Sequence, residues 1–137
     1  MAIIVTSPRP PLNIFDVRHL GVTASWQTIL ETPTYRIPAV GPNPQRDVQA
    51  VALLTSLIVT NTEATTIQVS LRVVDGNGQI WALLNNLPVP ANDFALIELS
   101  KQNLPSTEKL EIRVGAAQAA VAHLSFVLNQ REEFEVV

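Results

Sequence analysis

The side chains that could bind a metal or move a proton are few and scattered in this sequence. There are two histidines, His19 and His123, twelve acids and no cysteine among 137 residues. Without a thiol, disulfides, thiolate metal sites and cysteine nucleophiles are excluded. Neither histidine has a second histidine or a carboxylate at metal-ligand spacing. No serine stands in a Gly-x-Ser-x-Gly context, so there is no nucleophile elbow. Five glycines in all leave no glycine-rich loop to cradle a phosphate. Asp75-Gly76-Asn77-Gly78 resembles the opening of a calcium loop, which needs a closing carboxylate downstream. Gln79, Ile80, Trp81 and Ala82 follow instead, with no acid before Asp93, so the segment reads as a hairpin turn. The expected inventory is therefore no catalytic residue, no cofactor-binding residue, no metal ligand and no cofactor. His19 and His123 read as surface or interface side chains.

Aromatic rings could stack on a sugar, but Trp26, Trp81, Tyr35, Phe15, Phe94, Phe126 and Phe134 do not gather in one loop. Trp81 lies among apolar neighbours and reads as core or interface. The net charge of −3 and seven arginines scattered from Arg9 to Arg131 do not make the basic patch that nucleic acid needs as a main partner.

The elements that would carry these residues are strands. Thr66 to Asp75 alternates Ile67, Val69, Leu71 and Val73 against Thr66, Gln68, Ser70 and Arg72, the period of a half-buried strand. The 75–78 turn leads into a returning strand from Ile80 to Leu84. Leu87-Pro88-Val89-Pro90 is expected to break the pattern, and Asp93 to Leu99 to resume it. Lys109 to Val114 sets Leu110, Ile112 and Val114 against Lys109, Glu111 and Arg113. Ala120 to Gln130 sets Ala122, Leu124, Phe126 and Leu128 inward, with His123, Ser125, Asn129 and Arg131 outward. Leu53 to Thr60, rich in β-branched residues, ends in the polar turn Asn61 to Ala64, and Ser25 to Leu30 forms one further strand. Seven or eight such strands, closely spaced, predict an all-β fold: one antiparallel β-sandwich of jelly-roll type. The alanine-rich 116–122 segment is too short to stand alone as a helix.

The first 23 residues read differently. Ser7-Pro8-Arg9-Pro10-Pro11 fixes φ and removes backbone donors, so it favours extended chain and stays out of a central sheet. Its apolar content (Ile3, Ile4, Val5, Leu12, Ile14, Phe15, Val17, Leu20) exceeds that of a solvated tail. The expected division is an extended Pro-rich N-terminal arm over 1–23 that docks on a neighbour, a sandwich over 24–131 and a C-terminal tail over 132–137. That tail, mixed acidic and apolar, could fray or pair with another subunit as an edge strand.

Only 15% of the residues are charged, against roughly 25% in ordinary domains. Lysine occurs twice, at Lys101 and Lys109. A small domain so poor in charge exposes much neutral or apolar surface, and the expectation is that partners cover some of it. Ala2-Ile3-Ile4-Val5 lacks the basic flank and the length of a signal peptide. The longest apolar run, Val48 to Val59, is interrupted by Gln49, Thr55 and Ser56 and falls short of a membrane span. Synthesis and retention in the cytoplasm, or entry into a particle there, are expected.

Four segments stand out: Tyr35-Arg36-Ile37-Pro38, Leu54-Thr55-Ser56-Leu57-Ile58-Val59-Thr60-Asn61, Val89-Pro90-Ala91-Asn92-Asp93 and Lys109-Leu110-Glu111-Ile112-Arg113-Val114. Together they resemble small β-sandwich virion proteins of tailed bacteriophages. The likeness runs from Tyr35 to about Gln130, and the chain departs from it in the N-terminal extension and in an insert over 40–49. The resemblance implies a non-enzymatic, many-copy virion component at the head–tail neck or connector, in the tail, or decorating the capsid. Its partners would be copies of itself and portal, tail or capsid proteins. It brings no catalytic residue with it. A glycan- or protein-binding module is the alternative of a different class.

Overall fold

A computed structural model describes residues 12–37, 39, 41–42, 44, 46–48, 50–100 and 102–130. The strands are β1 (Leu12–Val22), β2 (Gln27–Glu31), β3 (Tyr35–Ile37), β4 (Arg46–Val48), β5 (Ala50–Thr60), β6 (Ile67–Val74), β7 (Ile80–Val89), β8 (Phe94–Glu98), β9 (Asn103–Pro105), β10 (Lys109–Val114) and β11 (Ala120–Gln130). Among the described residues there is no helix, and hence none long and apolar enough to cross a membrane.

One sheet has the order β1-β11-β5-β8, with β9 also on β5; the other has β2-β10-β6-β7. All their pairings are antiparallel. The pairs β1–β11, β2–β10, β5–β8 and β6–β7 are nested, as if one long hairpin had been folded in half. The pairings β11–β5 and β10–β6 then join those pairs side by side. This is the jelly roll, two interlocked Greek keys packed as a sandwich. The short β3–β4 ladder is an excursion between β2 and β5, within the stretch that carries the Pro-rich insert.

The core lies between the sheets and follows the period of two. Ile67, Val69, Leu71 and Val73 from β6, Leu110, Ile112 and Val114 from β10, and Ala122, Leu124, Phe126 and Leu128 from β11 are all buried, as the alternation predicts. Two bulges adjust that alternation. On β5, Ser56 and Leu54 pair with consecutive residues of β11, so Thr55 is the extra residue. Its hydroxyl donates to the Ser125 carbonyl at 2.7 Å. The bulge switches parity, so that Ala50, Ala52 and Leu54 before it and Leu57 and Val59 after it all turn inward. On β2 the shift opposite Leu110 and Glu111 makes Ile29 the extra residue, and both Ile29 and Leu30 are buried.

Two expectations fall differently on the structure. Residues 12–22, expected within the arm, form β1, which pairs with β11 along its whole length. The Pro-rich part, 1–11, and the tail at 132–137 lie outside the described residues. The break expected over Leu87-Pro88-Val89-Pro90 comes only at Pro90, because β7 runs to Val89. β7 is an edge strand, where a residue without an N–H is tolerated. The 75–78 segment is the hairpin turn expected. One Asp75 carboxylate oxygen accepts from the amides of Asn77 (2.9 Å) and Gln79 (2.8 Å), and Gly78 takes φ +81°.

The end of β2 is tied to the β9–β10 turn. Thr32, buried, donates its hydroxyl to the Leu104 carbonyl at 2.9 Å. The Ser106 hydroxyl accepts from the Ala50 amide at 2.8 Å and lies within donating distance of the Ala50 and Pro33 carbonyls. Glu108, in the same turn, has its carboxyl pushed up from the ordinary value by burial and, secondarily, by the negative charge of Asp75. The folded state therefore holds the Glu108 proton more tightly than the unfolded chain does. Its contribution is fully present below the unfolded value and is lost as pH rises through the folded one. Glu108→Gln is expected to melt about 1–2 °C above the native chain at pH 7, a gain kept small by solvent screening. The difference should vanish at acid pH; equal melting at pH 7 would contradict it.

Candidate interaction site

The outer face of the β1-β11-β5-β8 sheet can be read row by row from the register. The central row is His19, His123, Ile58 and Leu96. On one side of it stand Gly21, Val121, Thr60 and Phe94; on the other, Val17, Ser125, Ser56 and Glu98. In these three rows the single charged residue is Glu98. Val17, Ile58, Val121, Phe94 and Leu96 are all exposed, as is Leu53 beyond the bulge. A solvated sheet face normally carries polar side chains at such positions. This one is apolar.

Exposure is greatest at one edge. Among the large apolar side chains described, Phe94 and Leu96 (61% each), Ile80 (53%) and Trp81 (47%) are the most exposed. All four lie on β7 and β8, the last strands of the two sheets. Among the described residues β8 hydrogen-bonds only to β5 and β7 only to β6, so no described strand lies on the outer side of either. Edges of this kind are usually blunted by lysine or inward charge. β7 has bulges and Pro88, but β8 reads Phe-Ala-Leu-Ile-Glu and carries neither lysine nor proline. Trp81 is not core, contrary to one of the two expectations for it: it pairs with buried Val73 and still stays half open at the edge.

The opposite sheet wears a polar coat. Arg72 and Glu111 are direct cross-strand partners joined by a 2.7 Å ion pair. The guanidinium carbons of Arg72 and Arg113 lie 4.1 and 4.5 Å from the centre of the Trp26 ring. Trp26 is thus engaged by two cations and is a poor platform for a sugar. Sequence reasoning missed this cluster because Trp26 meets Arg72 and Arg113 only once β2, β6 and β10 are side by side.

His19 and His123, from opposite ends of the chain, are direct cross-strand partners. Their rings stand edge to face with centroids 4.2 Å apart. Among the described residues no group of three or more His, Cys, Asp or Glu is placed to hold a metal ion.

No family model matches the chain, and no curated protein matches it. Solved structures do. A chain of infectious bursal disease virus, Gx strain, is 13% identical with a TM-score of 0.45, the match covering 92% of this chain and 33% of that one. The corresponding figures for the Gt strain are 12%, 0.39, 95% and 39%. A subunit of Bacillus endospore appendages, described as disulfide-linked pili, is 14% identical with a TM-score of 0.40, covering 97% of this chain and all of that one. The chain thus spans little more than a third of the viral chains it matches.

Proposed function

We propose that this chain is a non-enzymatic structural subunit that assembles with copies of itself and is built into a virion. The observation that carries the assembly is the pair Phe94 and Leu96, outward neighbours on an edge strand with no described strand beyond it, each 61% exposed. They continue inward into the apolar rows of Ile58, Val121 and Val17. Four strands about 4.8 Å apart and up to eleven residues long at ~3.3 Å per residue offer a face on the order of 600 Å². A standard interface takes about 800 Å² per partner, so this face and the adjoining edge suffice for one. A charge-poor surface suits permanent contacts between copies.

Jelly rolls serve viral shells, lectins and cupins alike, so architecture does not choose among them. The tailed-phage resemblance of residues 35–130 supports a virion location, with the head–tail neck or connector preferred and capsid decoration next. Light scattering on the purified chain tests the assembly. The native chain is expected to run as an oligomer, and Phe94→Lys with Leu96→Lys to shift it at least tenfold in concentration toward monomer with its fold intact. A native chain that stays monomeric up to about millimolar concentration, beyond the range of specific interfaces, would sink the reading.

A further inference from the structure

We infer that His19 and His123 form a two-imidazole binding site for a divalent transition-metal ion of the kind imidazole prefers, such as zinc or nickel. The register fixes both residues as direct partners on adjacent antiparallel strands, and both belong to the outward row of the sheet. Among the described residues neither imidazole has a hydrogen-bond or ion-pair partner; the ring contact of each is with the other ring. Metal–nitrogen bonds of about 2.0–2.1 Å place the ring centres of two imidazoles on one ion roughly 4.5 Å apart in octahedral and about 5.2 Å apart in tetrahedral geometry. The observed 4.2 Å needs only a small opening and a turn of the rings out of the edge-to-face arrangement. His19 is exposed and His123 half-buried, so the side chains have room to make that turn.

The surroundings favour such an ion over a hard cation. The neighbours of the pair on this face are Ile58, Val17, Val121, Ser125 and Gly21, and no lysine or arginine stands in these rows to repel a cation. No carboxylate cage of the sort calcium or magnesium requires is present there either; Glu98, the one acid in the rows, is two strands away from His123 on β8. Two nitrogen ligands leave the other coordination positions to water, which sets a modest affinity. The structural consequence is a clip: the ion would fasten β1 to β11, its one ladder partner among the described strands. The pair stands in the central row of the face assigned above to assembly. The site is therefore one of the dissociated chain, and the titration below is run on the Phe94→Lys, Leu96→Lys chain beside the native one.

Calorimetric titration of the full chain with zinc and, separately, nickel at pH 7.5 tests it, alongside thermal melting and hydrogen exchange. Saturable binding of no more than one ion per chain is expected, with a rise of several degrees in melting temperature and slower exchange of β1 amides. His19→Ala and His123→Thr should each weaken binding at least tenfold while melting like the native chain in metal-free buffer. Calcium should bind no better to the native chain than to these variants. Equal zinc affinity in the native chain and both variants, or no saturable binding at millimolar ion, would overturn the site.

Discussion

Asn61→Asp, a change of one terminal group, is expected to destabilise this fold by about 3–5 kcal/mol at neutral pH, more than Asn61→Ala does. Asn61 is fully buried at the end of β5. Its side-chain nitrogen lies 2.8 Å from the Thr65 carbonyl and 3.0 Å from those of Val89 and Pro90, while its oxygen accepts from the Glu63 amide at 2.8 Å. Its own amide donates to the Asp93 carbonyl at 2.8 Å. One residue thereby joins the end of β5 to the approach of β6, the end of β7 and the start of β8. An aspartate of the same shape would turn a carboxylate oxygen on three carbonyl oxygens, in a place that water does not reach. Alanine removes both the donor and the acceptor but adds no charge, and should cost about 2–3 kcal/mol. The aspartate's folded-state value would be raised, so the loss should shrink as pH falls and the group takes up a proton. Urea unfolding at pH 7 and pH 4 checks both the order of the variants and the sign of the trend. Aspartate tolerated better than alanine at pH 7 would refute the account.

The role of Asn61 shows where reading the sequence stops. Asn-Thr-Glu-Ala after an apolar strand predicts a polar turn, and a turn is there, but its asparagine closes contacts with residues near 65, 90 and 93 that no local spacing reveals. Where burial depends on period alone, the residues were enough: β10 and β11 begin and end where the alternation does, and every inward residue expected on them is buried. Where a strand is recognised by its partner, they were not. β1 contains charges, a glycine and a histidine and follows a proline run, and it is a strand because β11 lies beside it. The bulges at Ile29 and Thr55 are hidden for a related reason: each shifts the inward parity within a strand, so a strict period of two fails there. The outward apolar row was legible only as a shortage of charge. Placing Phe94 and Leu96 on an open edge, and His19 beside His123, required the topology.

Phe126 and Phe94 give the sharpest separation between what holds the chain together and what is left for partners. Phe126, on β11, is 2% exposed and belongs to the core between the sheets. Phe126→Ala should lower stability by about 3–5 kcal/mol through lost burial and the cavity left behind. Against the ~5–15 kcal/mol that a domain of this size has in total, that loss is a large fraction of its stability. The fall in melting temperature, on the order of 10–20 °C, should be the same at every protein concentration, because the cavity lies inside one chain. Phe94, the same side chain on β8, loses little transfer free energy when truncated in an isolated chain, so Phe94→Ala should stay within about 0.5 kcal/mol in dilute solution. In concentrated solution the native chain gains stability from any association that favours the folded form, and its melting temperature should climb with concentration. Phe94→Ala should flatten that climb while Phe126→Ala leaves its slope in place. Melting curves over a hundredfold range of concentration distinguish the two. A climb undiminished in Phe94→Ala would remove β8 from the contact between copies and leave the core assignment of Phe126 untouched.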